Sequence, residues 1–297
     1  MYAAGIHDMP MAAYLLDPCA APSLSSGSAH RLLTRSPRHV WATHPRFGGE
    51  GSVGTNASDM GTVAHDLLLG GEGKLCIIEP ADFRSKPTKD NPDGSIPVGW
   101  TNGAIRAARD EARANGLTPI LAAEAGAARA MVKVAREFLA QTELVGVLDD
   151  GHEAERTVLW QEGTQWMRAR PDSMNRRMRV FLHYKTTQAS ANPDPFIRGI
   201  MSSSGYDVAL AFYARGARAV GLHEWLHVIL VQEQAAPYAC SLVGMSPVMW
   251  SIADQKVERA IGIWSECMRT DHWPAYSTQI HYAEPTAWQL AEAEEFA

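Results

Sequence analysis

Apolar residues recur at helical spacing in the first half of the chain and at alternating spacing in the second. The stretch "PSLSSGSAHRLLTRSPRH" predicts a serine-capped short helix carrying Leu32 and Leu33 and stopped at Pro37. Residues 45–58 are rich in glycine and predict a mobile loop. "DMGTVAHDLLL" sets Val63, Leu67 and Leu68 on one helical face. A second loop is expected over 84–98, where Pro87, Pro92, Gly94 and Pro97 fall. Helices over about 101–115 and 119–141, joined at Gly116, complete a mainly helical portion at 1–145.

From Glu155 the period changes. "ERTVLW", "QWMRARPD" and "RVFLHYKTT" are short runs rich in strand formers. A turn at "NPDP" leads into a helix ending near 214. "WLHVILVQE" and "YACSLVG" predict two more strands, and a final helix is expected near 248–270 before a proline-punctuated tail. The pattern describes one α/β domain over 1–297, with its sheet core at 150–245 and a C-terminal helix and tail at 246–297.

Composition narrows the classes. The chain has 297 residues, 46% hydrophobic and 20% charged, as ordinary globular proteins do. No apolar run approaches the roughly 18 residues of a membrane span, and the N-terminus lacks the basic start of a signal peptide, so a cytoplasmic address without membrane association is expected. Cys19, Cys76, Cys240 and Cys267 are scattered without a C-x-x-C pair, which argues against a zinc knuckle or a disulfide framework. The net charge of −6 means that nucleic-acid affinity would need a local basic patch.

Residues 155–187 hold the candidate chemistry. Strand side chains alternate faces, so Arg168, Arg170 and Asp172 share one side, and Arg179, Phe181, His183 and Lys185 share another. If the two runs pair as a hairpin, Asp172 lies beside His183 and Lys185, with Glu155 able to join from the preceding strand. A carboxylate, a second metal ligand and a lysine on one face suit phosphodiester hydrolysis. Arg168, Arg170, Arg176, Arg177 and Arg179 form a basic stripe for DNA phosphates, the alternative being a solvated hairpin with ordinary surface arginines. Trp100, Trp160, Trp166 and Trp250 are candidates to stack on DNA ends or to pack in the core.

These residues resemble the PD-(D/E)XK nuclease superfamily, and within it the phage and prophage exodeoxyribonuclease VIII-like group related to the RecB nuclease domain. "PSLSSGSAHRLLTRSPRH" is similar to that group's opening. "MGTVAHDLLL" is similar to its G-x-x-x-H helix, "EAERTVLW" to its glutamate strand, "RARPD" to its second acidic motif and "HYKTT" to its D-Y-K-T-T strand. "GYDVALAFY" resembles the following helix, with Tyr213 in a tyrosine position, and "CMRTDHWPAY" resembles the C-terminal end. The resemblance implies a restriction-endonuclease-like core with a mixed central sheet flanked by helices. It implies a Mg²⁺- or Mn²⁺-dependent exonuclease acting on double-stranded DNA ends in recombination, with His65, Asp172 and the residue at 183 as metal ligands and Lys185, Glu155 and Asp172 as catalytic residues. A homo-oligomer, often a ring, and a single-strand annealing partner are implied as well. His183 stands where the family has aspartate and Ala209 where it usually has glutamine. Imidazole suits Mn²⁺ and other transition metals better than Mg²⁺, so weakened Mg²⁺ activity is expected.

Two alternatives stay open. One is a DNA-binding, oligomer-forming relative that has lost cleavage. The other is a zinc protease, because "HEWLH" (223–227) satisfies H-E-x-x-H, with Glu258 as a conceivable third ligand. That motif works on a helix, and the "VILVQE" that follows reads as a strand.

Overall fold

Strand pairing divides the β-rich half of the chain between two sheets, and the division falls at Pro171-Asp172. The computed structural model describes residues 1–47, 49, 56–70, 75–89 and 91–295. Half of the glycine-rich stretch expected as a mobile loop, residues 48 and 50–55, lies outside those residues. In chain order the elements are β1 (Gly5–His7), α1 (Met11–Leu15), β2 (Ser23–Ser25), α2 (Ser26–Thr34), α3 (Pro37–Thr43) and α4 (Asn56–Leu69). There follow β3 (Leu75–Ile78), α5 (Gly103–Ala114), β4 (Thr118–Leu121) and α6 (Ala122–Leu139). Then come β5 (His152–Ala154), β6 (Thr157–Glu162), β7 (Gln165–Ala169), β8 (Ser173–Asn175) and β9 (Val180–Thr187). The last group is α7 (Pro193–Pro195), α8 (Tyr206–Ala219), β10 (Leu226–Glu233), β11 (Cys240–Val243), α9 (Pro247–Thr270) and α10 (Ala287–Glu295).

One sheet has the order β1-β6-β7-β2, a second β11-β10-β9-β8-β5, and β3 pairs with β4 alone. β9 and β10 run parallel from Leu226 opposite Val180 to Glu233 opposite Thr187, joined through the crossover helix α8. Both are covered on two faces, which is why "VFLHY" and "HVILVQ" read as nearly continuous apolar runs rather than alternating ones. α4 and α6 bury Ala64, Leu68, Met131 and Ala135 against Leu182, Tyr184 and Leu230. On the other face α8 packs Leu210 against Ile229 and Val231 and Ala217 against Phe181, while α2, α8 and α9 close over Trp160 and Met167 of the first sheet.

Glycine is required where α8 meets its neighbours. Gly205 precedes α8 at φ 73°, and a Cβ there would collide with the His30 ring. A Cβ on Gly216 would stand 2.6 Å from the Trp160 ring, so α8 can only lie this close to β6 with glycine at the crossing.

The architecture is mixed α/β as expected, with three differences. The helices of 1–145 are accompanied by four short strands, β1 to β4, and β4 takes the first residues of the helix expected from 119. "QWMRARPD" is not one strand, since β7 pairs with β6 and β2 while β8 pairs with β9. After α7 a π-helical turn at Phe196–Met201 precedes α8, which runs on to Ala219 rather than ending near 214.

Candidate active site

α4, the start of β6, the sheet-to-sheet junction and the end of β9 converge on a cavity of about 830 Å³. His65 and Asp66 enter from α4, Glu155 from the residues before β6, Arg170 and Asp172 from the junction, and Tyr184 and Lys185 from β9. Close approach of α4 to β9 is permitted by Gly61, whose Cβ would meet the Thr186 hydroxyl at 3.0 Å.

Asp172 occupies its place because the chain is crossing between sheets there. Its carbonyl accepts from the Glu155 backbone N–H at 3.0 Å, and Glu155 adopts φ 49° in making this turn. One carboxylate oxygen, Oδ2, accepts from the Tyr184 backbone N–H at 2.9 Å and from Lys185 Nζ at 2.6 Å. The other, Oδ1, lies 3.8 Å from His65 Nε2. His65 Nδ1 in turn stands 3.6 Å from Asp66 Oδ1 and 3.7 Å from Glu155 Oε1. Glu155 Oε2 accepts from Arg170 at 2.9 Å, and the same guanidinium donates to the Met9 carbonyl at 2.7 Å and the Thr157 hydroxyl at 3.0 Å.

The charges of this cluster are strongly interdependent. Burial favours neutral His65, but the Asp172 and Asp66 carboxylates beside it outweigh that and push its pKa up to about 9. Burial likewise opposes ionisation of Asp172, yet Lys185 and His65 hold its carboxyl well below the usual range. Lys185 is raised because Asp172 more than offsets its desolvation. Three carboxylates therefore face three cations, and the proton on His65 is the one that can be exchanged for a metal.

The donor set fits a divalent ion. Single ligand atoms of His65, Asp66 and Glu155 all lie within 4.8 Å of one another. Two oxygen ligands on opposite sides of a Mg²⁺ ion at ~2.1 Å would stand about 4.2 Å apart, so modest contraction closes the set. Asp66 Oδ2 is buried without a hydrogen-bond partner among the described residues, a cost that cation binding would relieve. Asp172 can complete the set through the oxygen facing His65.

The cavity thus gathers His65, Glu155, Asp172 and Lys185. It does not gather His183 or, Arg170 apart, the arginine stripe. The register Ser173 opposite Leu182 puts residue 183 beside Asp172, as the hairpin argument expected, but the His183 side chain is not among the cavity's lining. It is 1% exposed, its Nε2 is 3.4 Å from His227 Nδ1, and its ring stacks on Tyr213 and His227. Burial lowers its pKa to about 4, so it is neutral at pH 7.

Arg168 and Arg170 are buried and engaged internally, the first with the Ser23 carbonyl and hydroxyl. Arg176 pairs with Glu153, and Arg177 and Arg179 are exposed at the hairpin turn. Arg179 is six residues before Lys185 along the strand, roughly 20 Å away. The five arginines therefore do not form one surface. Trp160 lies in the core, and Trp100, Trp166 and Trp250 pack against other clusters, so none lines the cavity.

The H-E-x-x-H sequence is not helical. His223 and Glu224 are in irregular chain, His227 is buried on β10, and Glu258 is taken by Arg215. The zinc-protease alternative has no site here.

Sequence reasoning missed Asp66, Asn115, Tyr206 and Gln234, all of which line the cavity. Asp66 had a signal in its adjacency to His65. Neighbouring helical residues point about 100° apart, which hides a shared site unless a third group fills the angle between them. Glu155 does so.

A family model described as a PDDEXK-like domain of unknown function (DUF3799) matches residues 115–286. A crystal structure of a protein from Eubacterium rectale, whose designation as an exonuclease is itself provisional, superposes with TM-score 0.56 at 8% identity. It covers 96% of this chain and 98% of its own. A structure of SSO0001 covers 76% of this chain and 99% of its own at 14% identity, but its TM-score of 0.28 bears on nothing. No curated protein sequence matches the chain. No helix among the described residues is long and apolar enough to cross a membrane.

Proposed function

The chain belongs to the PDDEXK-like family of that model, and on this premise we propose that it is a divalent-metal-dependent exodeoxyribonuclease acting on duplex DNA ends. The observation that carries the reading is the junction at Asp172, where one carboxylate faces His65 on one side and Lys185 on the other. His65, Asp66, Glu155 and Asp172 would hold Mg²⁺ or Mn²⁺. The chemistry gained from such a cation is neutralisation of phosphate charge and a lowered pKa of bound water. Lys185, kept protonated by Asp172, is placed to donate to a phosphate oxygen or to the attacking water. Arg170 orients Glu155 and spares it from turning away. Tyr184 fixes Asp172 through its backbone N–H, a contact no side-chain substitution at 184 removes.

Recombination-type processing, a ring-shaped homo-oligomer and a single-strand annealing partner are consistent with this reading and are carried by the family resemblance alone.

Incubation of linear and covalently closed duplexes with Mg²⁺ or Mn²⁺ tests the reading. Progressive loss of the linear DNA with the closed circle spared, abolished by Lys185→Met, is expected. Binding without product in either metal would replace the enzyme by a cleavage-deficient DNA-binding relative.

A further inference from the structure

α2 and α3 carry charge of one sign only. From residue 18 to residue 49 the sequence holds four arginines and no acidic residue, in a protein of net charge −6. Arg31 lies on α2, Arg35 just past its last residue and Arg38 in the first turn of α3, and all three are exposed. Among the described residues no ion pair joins any of them to a carboxylate, whereas Arg156, Arg176, Arg215 and Arg269 each bridge to one elsewhere. α9 brings Glu266 into the same surface pocket as Pro37, but that carboxylate is held by Arg269.

Two of these guanidiniums are held in place. Arg31 donates to the Thr43 hydroxyl at the end of α3, and Arg38 lies over the Trp41 ring at 4.2 Å. α3 has seven residues and is about 10 Å long, so the two cations bracket a short stretch of surface. The same surface adjoins the cavity. The His30 ring fills the space beside Gly205, and the next residue, Tyr206, lines the cavity. At the start of α2 the Ser26 hydroxyl donates to the Tyr213 hydroxyl at 3.4 Å. None of the large apolar residues that stand exposed falls in α2 or α3, so a protein partner would find no anchor there. Unpaired positive charge without apolar anchors suits a polyanion.

We propose that Arg31, Arg35 and Arg38 grip the phosphate backbone of duplex DNA beside the cavity. This rests on the nuclease reading above and deepens it by assigning the surface with which an acidic protein holds a polyanionic substrate. The three residues lie ahead of the stretch 115–286 matched by the family model, so the surface belongs to the N-terminal portion of this chain and not to the matched domain. Phosphate contacts fix register and orientation without reading sequence, which suits digestion of ends of any sequence.

The test is the salt dependence of binding to a short fluorescein-labelled duplex, read by anisotropy in Ca²⁺ without cleavage. Each phosphate contact adds about 0.9 to the slope of log affinity against log salt, so an Arg31→Gln, Arg35→Gln, Arg38→Gln triple variant should lower the slope by about 2.7. A lysine triple at the same positions keeps the charge and should keep the slope. Arg176→Gln, Arg177→Gln and Arg179→Gln together remove equal charge from the hairpin and should leave the slope unaltered. An unaltered slope in the first triple, a fallen one in the lysine triple, or an equal fall in the hairpin triple overturns the proposal. If the first triple does not fold, Arg35→Gln alone decides. The Arg35 side chain has no hydrogen-bond partner to lose among the described residues, and the slope should fall by about 0.9; no fall overturns the proposal. An unaltered protein that binds polyglutamate and not the duplex overturns it in favour of an acidic protein partner. The two readings fail separately, because binding is read without cutting. A protein that shows the slope change and never cuts keeps this surface and loses the nuclease reading, whereas one that cuts with its slope untouched by the first triple does the reverse.

Discussion

Lys185 Nζ lies 2.6 Å from Asp172 Oδ2 in a pocket where the carboxylate is 12% exposed. The two residues arrive from different routes, one on β9 and one at the crossing between two sheets, so their contact reports the fold as much as the chemistry. The pair is charge-assisted, and each partner holds the other ionised.

Lys185→Met should reduce single-turnover cleavage by about hundredfold or more, the loss typical of a preorganised donor at developing charge. Because Asp172 keeps its bond from the Tyr184 backbone, metal binding should survive. A calorimetric titration with Mn²⁺ beside a rate measurement separates the two effects. Equal collapse of both would make Lys185 structural.

Metal binding should depend on pH with a definite sign. His65 is protonated below about 9, so a metal entering at pH 7 must displace that proton. Affinity should rise by about tenfold per pH unit from 7 towards 9 and level off above. Titrations in buffers of different ionisation enthalpy should show close to one proton released, and Asp66→Asn should weaken affinity at every pH.

His183 predicts an acid-sensitive stability. Its folded pKa of about 4 lies below the ordinary 6.5, so the unfolded chain takes up the proton first. The stabilisation is complete above about 6.5 and is lost as pH falls towards 4, on the order of 3 kcal/mol over that window. Urea midpoints should decline there, and His183→Phe should flatten the decline. His227, depressed by the same burial, adds to the slope and remains in the variant.

The same residue bears on the choice of metal. Cleavage in Mn²⁺ should exceed cleavage in Mg²⁺, and His183→Asp, which places a carboxylate next to Asp172 in register, should narrow the gap. Parallel rates in the two metals answer this. An unchanged ratio would mean that position 183 never meets the ion.

Much of this was legible before any coordinates. Val63, Leu67 and Leu68 mark α4, and the apolar density of "VFLHY" and "HVILVQ" marks β9 and β10, because burial on both faces leaves few polar positions. The order of the motifs carrying His65, Glu155, Asp172 and Lys185 pointed to the cluster. What stayed hidden was short or non-local. β3 and β4 are four residues each, and Pro119 makes the end of β4 read as the start of the following helix, although proline is tolerated in a two-stranded edge pair. The transfer from one sheet to the other after Ala169 has no local signature. It nevertheless decides that Arg168 points into the core, bound to Ser23, and not towards DNA.

The centre itself is tested most directly by anomalous diffraction from crystals soaked in Mn²⁺. One dominant peak is expected among His65, Asp66, Glu155 and Asp172, at about 2.0–2.3 Å from their donor atoms. A peak elsewhere, or none at saturating Mn²⁺, would contradict it.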